Sequence, residues 1–163
     1  MQAHPSTPEP DNRYPVAVAR LFVHVEEACA AQAEWPLGVR AAIEAALEFL
    51  AAEPAAARLL LFDYRRLGGE AQLRHEATLT ALAGLVRAGR AEADKHPRPD
   101  LFAEGMIGGL FLIVARPLER GEPERLVALG PELTSLLLSP YLGWEEAERV
   151  AGLSDEPLRE LPD

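Results

Sequence analysis

Apolar residues recur every three or four positions along this chain, from about residue 15 to residue 152. Such spacing collects apolar side chains on one side of an α-helix, whereas a half-buried strand would alternate them at every second position. Leu21 and Val25 show the helical interval, and so do Ile43 and Leu47. Residues 110–115 alone could form a buried strand, but no other segment has a pattern with which that strand would pair. The sequence therefore predicts an all-α fold, a bundle of about six to seven helices.

Prolines and glycines mark where the predicted helices begin and end. Proline suits the first turn of a helix, the residue before a proline avoids the α conformation, and glycine commonly follows the last turn. On these grounds the predicted helices run over 15–33, from Trp35-Pro36 to Glu53, from Pro54 to Gly68-Gly69, and over 70–93, 101–118, 123–138 and 144–151. The segments 94–100 and 140–143 are predicted to be turns.

The chain is long enough for one domain with its own core, since it has 163 residues, of which 48% are hydrophobic. We expect residues 1–14, which are polar and contain three prolines before residue 11, to form a disordered tail. Residues 15–152 are expected to form one helical domain, and residues 153–163 a loose C-terminal tail. The N-terminus lacks the pattern of a signal peptide. Because Cys29 is the single cysteine, the chain can form no internal disulfide, and a cytoplasmic location fits best.

The charge balance argues against binding to nucleic acid or to a membrane. The formal net charge is −10, which repels phosphate groups and anionic lipid surfaces alike. The longest charge-free apolar stretch, residues 105–115, is shorter than the roughly 20 residues that cross a bilayer. We therefore expect a soluble protein that does not bind nucleic acid by this chain alone.

No catalytic or metal-binding pattern is present in the sequence. The four histidines at positions 4, 24, 75 and 96 show no spacing typical of metal ligands, and the glycine-rich and nucleophile motifs of common enzymes are missing. The sequence predicts no catalytic residue, no metal site and no cofactor.

The predicted fifth helix is apolar on nearly all sides and contains Gly108-Gly109. A glycine in a helix interior costs roughly 1 kcal/mol relative to alanine, and the close approach of another helix would offset that cost. Together with the leucines of the predicted sixth helix, this favours a homodimer in which two helices of each subunit meet. The predicted interface residues are Phe102, Gly105, Gly108, Gly109, Leu112, Ile113, Leu126, Leu129, Leu133 and Leu136. The alternative is that the fifth helix is the central helix of a monomeric core.

An ordered set of short motifs runs through the helical region. It comprises Trp35-Pro36-x-x-Val39-Arg40, residues 49–54 (FLAAEP), Glu104-x-x-x-Gly108-Gly109, Pro131-Glu132-Leu133, and Pro140-Tyr141-Leu142-Gly143. With these motifs the chain resembles the C-terminal regulatory domain of the TetR/AcrR family of transcriptional regulators, over residues 15–152. Proteins of that family normally begin with a helix-turn-helix module of about 45 residues. Only 14 residues precede the first predicted helix here, so the chain is either a fragment or a natural domain that lacks the DNA-binding module.

The resemblance implies a homodimer whose subunits each bind a small, hydrophobic effector between the first, second, fourth and fifth helices. Ligand pockets are mostly apolar with a few polar groups. The candidate apolar residues are Phe22, Val25, Phe49, Tyr64, Leu82, Met106 and Phe111, and the candidate polar residues are His24, Arg65 and His75. Each apolar candidate could instead be an ordinary core residue. Two other functions stay open: a partner that seals a hydrophobic surface of another subunit, and an enzyme with a site hidden in the bundle.

Overall fold

The computed structural model describes residues 12–93 and 100–153. In this part the chain forms seven α-helices and no strand, which confirms the prediction of an all-α bundle. The helices are α1 (Arg13–Ala30), α2 (Trp35–Ala52), α3 (Pro54–Leu61), α4 (Gly69–Ala93), α5 (Asp100–Glu119), α6 (Gly130–Leu142) and α7 (Trp144–Ala151). The predicted tails over residues 1–11 and 154–163, and the predicted turn over 94–99, lie outside the described residues.

Helix α1 begins two residues before the predicted start. Tyr14, which the sequence analysis placed in the tail, is the second residue of this helix and is fully buried. It shares one side of α1 with Ala17, Leu21 and Val25, which are also buried. These positions are three or four residues apart, so the apolar stripe of the helix extends one turn further than the prediction assumed.

The predicted bounds of the sixth helix, 123–138, are wrong. Two short 3-10 turns, Pro123–Arg125 and Val127–Leu129, come before α6. Pro131 lies in the first turn of α6, where a backbone N–H would have no hydrogen-bond partner within the helix. The proline therefore favours the start of a separate helix at this point.

The predicted turn over 140–143 is also wrong, because α6 continues through Pro140 to Leu142. A proline at this position cannot donate a hydrogen bond to the carbonyl of Leu136. The Ser139 hydroxyl donates to that oxygen instead, at 3.3 Å. Gly143, with a φ of 83° that favours glycine, then ends the helix.

Helix α3 is likewise shorter than predicted. It ends at Leu61, and a separate 3-10 turn, Asp63–Arg66, leads to Gly68, which has a φ of 97°. This turn places Tyr64 against the first turns of α4, as described below.

Helices α1 and α2, α4 and α5, and α6 and α7 pack as neighbouring pairs, and α2 also contacts α6. Gly38 permits the close approach of α2 to α1, since a Cβ atom there would lie 3.1 Å from the Cys29 sulfur. Arg40 ties α2 to α7 by donating a hydrogen bond to the carbonyl of Val150 at 3.1 Å. The bundle is thus built around α2.

Candidate functional site

A cavity of about 120 Å³ lies among six of the helices. Its walls are almost entirely aliphatic, and Phe111 and Cys29 are the exceptions. The lining residues are Leu21, Val25 and Cys29 of α1; Val39, Ala42, Ile43, Ala46, Leu47 and Leu50 of α2; Leu61 of α3; Leu82, Leu85 and Val86 of α4; Ile107, Leu110, Phe111 and Val114 of α5; and Leu133 and Leu137 of α6. Globular interiors seldom leave voids larger than a water molecule, so a hollow of this size is a candidate binding site.

Three of the predicted ligand-binding residues lie in the cavity wall: Val25, Leu82 and Phe111. Met106 is not part of the wall and packs against the hydrophobic core beside it. The cavity lies among the first, second, fourth and fifth helices, where the resemblance implies a ligand pocket. The structure adds α3 and α6 to the walls.

Phe22 lies on the other side of α1, away from the cavity. It lines a separate surface groove of about 300 Å³ between α1 and α4, together with Val18, Ala77 and Ala81. Phe22 was predicted to line the cavity, but it does not. Its neighbour Leu21 faces the cavity, and consecutive residues of a helix point about 100° apart.

His24 and Phe49 form a cluster at the edge of α1 and α2. The His24 Nδ1 atom is 2.8 Å from the Arg20 carbonyl, and its ring centroid is 5.2 Å from that of Phe49. Arg20 lies over the Phe49 ring at 5.5 Å and pairs with Glu53 at 2.6 Å. His24 is exposed and Phe49 is buried in the core, so neither lines the cavity.

His75 is buried behind Phe111, one layer away from the cavity. The edge of one ring meets the face of the other, with centroids 5.7 Å apart. On its other side the imidazole stacks on Tyr64, at 3.7 Å between centroids and 13° between planes. Its Nδ1 atom is 3.1 Å from the Tyr14 hydroxyl. His75 therefore joins α1, the 3-10 turn and α5, but it does not reach the cavity itself.

Arg65 is exposed and packs against the outside of this aromatic cluster. Its Nε donates to the Tyr64 hydroxyl at 3.1 Å, and its guanidinium lies 5.5 Å from the centre of the Tyr64 ring. Arg65 thus contributes positive charge near His75 without contacting the cavity.

Burial sets the protonation states of the Tyr14 and His75 pair. Burial raises the pKa of Tyr14 to about 12, while a hydrogen bond with the Thr78 side chain acts in the opposite direction. Burial and the positive charge of Arg65 lower the pKa of His75, against a smaller opposing effect of Glu76. A neutral imidazole can accept at Nδ1, so we assign the Tyr14 hydroxyl as the donor.

This pair predicts a pH dependence of stability that is specific to His75. The pKa of His75 is lower in the folded protein than the value of about 6.5 in the unfolded chain. The stabilising contribution is therefore complete above about pH 6.5 and declines as the pH falls below it, until the folded-state pKa is reached. We expect urea unfolding to show a smaller loss of stability between about pH 7.5 and 5.5 for His75→Phe than for the wild type.

The matched control for this prediction is His24→Gln, which removes an exposed imidazole. It is expected to keep the wild-type difference between the two pH values. Equal pH dependence of the wild type and the His75→Phe variant would show that His75 contributes nothing to it.

The predicted interface residues of α5 divide between the surface and the core. Gly105 and Leu112 are exposed, Gly108 and Gly109 are half-buried, and Phe102 and Ile113 are half-buried and pack against the core. No heavy atom of the described residues outside the helix backbone lies within 4 Å of a Cβ built on any of the three glycines. Within the described part of the chain, the space beside these glycines is open.

Two interface predictions for the region after α5 are wrong. Leu126 is 0% exposed and Leu133 is 3% exposed, so both pack inside the single chain, and Leu133 lines the cavity. Leu136 is exposed, and Leu129 is half-buried against the core. Leu126 and Leu129 precede α6, whereas Leu133 and Leu136 lie within it, so the four leucines do not form one helical stripe.

Helix α5 has an unusual composition for a helix with so much exposed surface. Among the described residues it is the one helix that is long and apolar enough to cross a membrane, by length and composition alone. Over Leu101–Glu119 its mean hydropathy is 1.6, and 22% of it is buried. It also packs along α4, where Glu104 pairs with Arg87 at 3.6 Å. Core helices of soluble proteins can have the same length and composition, but they are mostly buried. The low buried share of α5 therefore indicates an apolar surface that the rest of the chain covers poorly.

Among the residues that the structure describes, no three His, Cys, Asp or Glu side chains are grouped so that they could hold a metal ion. Comparison of the chain with protein-family models, with curated proteins and with solved structures finds no match. The resemblance to TetR C-terminal domains therefore stays a prediction from the motifs quoted above.

Proposed function

We propose that this chain is a ligand-binding and dimerisation module of the kind found in TetR-like regulators, and that a small hydrophobic molecule binds in its cavity. The observation that carries this proposal is the hollow itself, which leaves about 120 Å³ unfilled at the meeting point of six helices. An empty apolar cavity costs stability because its walls lose packing contacts. A ligand that fills it recovers those contacts and stabilises the arrangement of helices that it touches.

Homodimerisation is supported by the pattern of exposed residues on α5. Leu101, Gly105, Gly108 and Leu112 are separated by four, three and four positions, so they follow one side of the helix. The two leucines are 74% and 68% exposed. Large apolar side chains at both ends and glycines in the middle form an apolar surface of the type that other subunits cover.

The stripe has the same sequence of residue types, leucine, glycine, glycine and leucine, whether it is followed from its N-terminal or its C-terminal end. When two such helices cross antiparallel about a two-fold axis, Leu101 of one copy meets Leu112 of the other, and Gly105 meets Gly108. A two-fold interface requires this kind of self-complementarity, in which the same surface serves both subunits. The missing Cβ atoms allow the two backbones to approach closely at the crossing point. A second copy of the chain therefore fits this surface better than an unrelated helix.

In a complete regulator of this type, the ligand would favour one arrangement of the bundle and so change the position of α1. Nothing in this proposal requires nucleic acid or catalysis by this chain itself, and it fits a cytoplasmic protein. A second candidate function, a partner that covers a hydrophobic surface of another protein, is favoured by the same exposed side of α5. A heteromeric complex in place of a homodimer would distinguish it.

Chemical modification of Cys29 tests ligand binding in the cavity. Cys29 is partly buried and lines the wall, so a molecule in the cavity should block access to its sulfur. For any compound in a panel of small molecules that raises the melting temperature, we expect the rate of reaction with N-ethylmaleimide to fall several-fold at saturation.

The control is a chain in which Cys29 is replaced by serine and the exposed Ala55 by cysteine. Its rate of modification should not depend on the compound. If compounds raise the melting temperature and leave the Cys29 rate unchanged, they bind elsewhere and the cavity is not the ligand site. If no compound in the panel does either, the proposed function is wrong.

A further inference from the structure

The chemistry of the cavity walls restricts what can bind there. Among the described residues that line it, Cys29 alone has a side-chain atom able to form a hydrogen bond, and a thiol is a weak donor and acceptor. The lining residues lie within α-helices, whose interior N–H and C=O groups are bonded to each other. A polar group of a ligand would lose its bonds to water in this cavity and gain almost none in return.

The polar side chains that were predicted to orient a ligand lie outside the cavity wall. His75 lies behind Phe111, and its Nδ1 atom is bonded to the Tyr14 hydroxyl at 3.1 Å. Arg65 is on the outer side of Tyr64, and His24 is on the surface beside Phe49. None of these five polar side chains is part of the cavity wall. The three residues predicted to orient a ligand therefore do not supply it with a hydrogen bond.

The volume of the cavity sets the size of the occupant. A dry apolar cavity of about 150 Å³ in another protein admits benzene, whereas pockets for drug-sized molecules measure about 300–1,000 Å³. At about 120 Å³ the present cavity corresponds to one six-membered ring or a short alkyl chain.

From these observations we infer that the ligand is an uncharged hydrocarbon-like molecule, about the size of a single ring, without a hydrogen-bonding group inside the cavity. This inference rests on the proposed function and specifies the class of effector. It predicts that carboxylates and phosphates do not bind in the cavity and that polycyclic compounds bind there more weakly than a single apolar ring.

Four probes of related shape test the inference: benzene, phenol, benzoate and naphthalene. Binding is followed by the NMR signals of the leucine and valine methyl groups that line the cavity, for example those of Leu82 and Val86. We expect benzene to shift these signals on saturation, phenol to bind at least roughly tenfold more weakly, and benzoate not to bind at all. Naphthalene is also expected to bind at least roughly tenfold more weakly, because overpacking a core costs stability.

Two variants connect the signals to the cavity. Ala46→Leu adds volume inside the wall and should abolish the effect of benzene, with a melting temperature at or above that of the wild type. Ala55→Leu makes the same change at an exposed position of α3 and should bind benzene as the wild type does. Should Ala46→Leu prove poorly folded, the ranking of the four probes on the wild-type chain still decides the question.

The outcomes separate this inference from the proposed function. If phenol, benzoate or naphthalene binds in the cavity as tightly as benzene, the cavity is a ligand site but the ligand class inferred here is wrong. If none of the four probes shifts a cavity signal, the inference fails. The proposed function fails with it only if the wider panel tested by Cys29 modification also gives no binding.

Discussion

The Leu112→Lys variant is expected to be monomeric at concentrations where the wild-type chain is dimeric. Leu112 is 68% exposed in the single chain, so a lysine there disturbs no internal packing. In the antiparallel dimer it would place one unpaired charge from each copy in an apolar contact. Removing such a charge from water costs about 3–5 kcal/mol, which corresponds to a rise of at least about 100-fold in the dissociation constant. Sedimentation equilibrium over a range of concentrations measures this change.

Leu73→Lys is the matched control for the dimer. Leu73 of α4 is 67% exposed, almost the same as Leu112, but it does not belong to the stripe on α5. The control variant should dimerise as the wild type does. A wild-type chain that stays monomeric at high micromolar concentration would refute the proposed dimer, and so would equal dissociation of both variants.

Gly108→Ala provides a second check in which two measured quantities change in opposite directions. In the single chain an alanine at this position meets no atom of the described residues within 4 Å, so it should stabilise α5 by about 1 kcal/mol. At the crossing point of the dimer the added methyl group should weaken association. Gly84→Ala, in an equally open position on α4, should stabilise the chain without affecting association.

The Leu137→Ala variant is expected to lose about 3–4 kcal/mol of unfolding free energy. Leu137 is fully buried on α6 and forms part of the cavity wall, so its truncation enlarges a hollow that is already about 120 Å³. The loss combines the transfer energy of the removed methyl groups with the cost of the added void. Urea unfolding of the two proteins, fitted with the same m-value, measures the difference in unfolding free energy.

The same substitution at the exposed Leu73 should change the unfolding free energy by no more than about 0.5 kcal/mol. A loss below about 1 kcal/mol for Leu137→Ala would mean that the surrounding helices collapse into the space. In that case the wild-type cavity would not persist as a binding site.

Local patterns in the sequence were sufficient to predict the helical fold, whereas the position of the pocket was expected from the resemblance. Val25, Leu82 and Phe111, which do line the cavity, were named as apolar residues of the helices that the resemblance places around a pocket. The remaining wall residues carry the same signal, and the sequence does not show which of many stripe residues surround a gap and which fill it. That distinction depends on how six helices meet.

The errors in the predicted site have two physical causes. Tyr14 was assigned to the tail because the first helix was predicted to begin at Pro15, whereas its partner His75 is 61 positions away. A contact over such a distance leaves no mark in local spacing. Leu126 and Leu133 were counted on one stripe with Leu129 and Leu136, but a new helix begins at Gly130, so the first two leucines and the last two do not belong to one helix.

The buried position of Tyr14 determines how α1 behaves at its first turn. Helix ends usually fray, and a frayed turn does not transmit displacement. Here the second residue of the helix is held by the imidazole of α4, which is itself clamped between rings from the 3-10 turn and α5. The first turn of α1 is therefore tied through one hydrogen bond and two ring contacts to Tyr64 and to Phe111, a residue of the cavity wall.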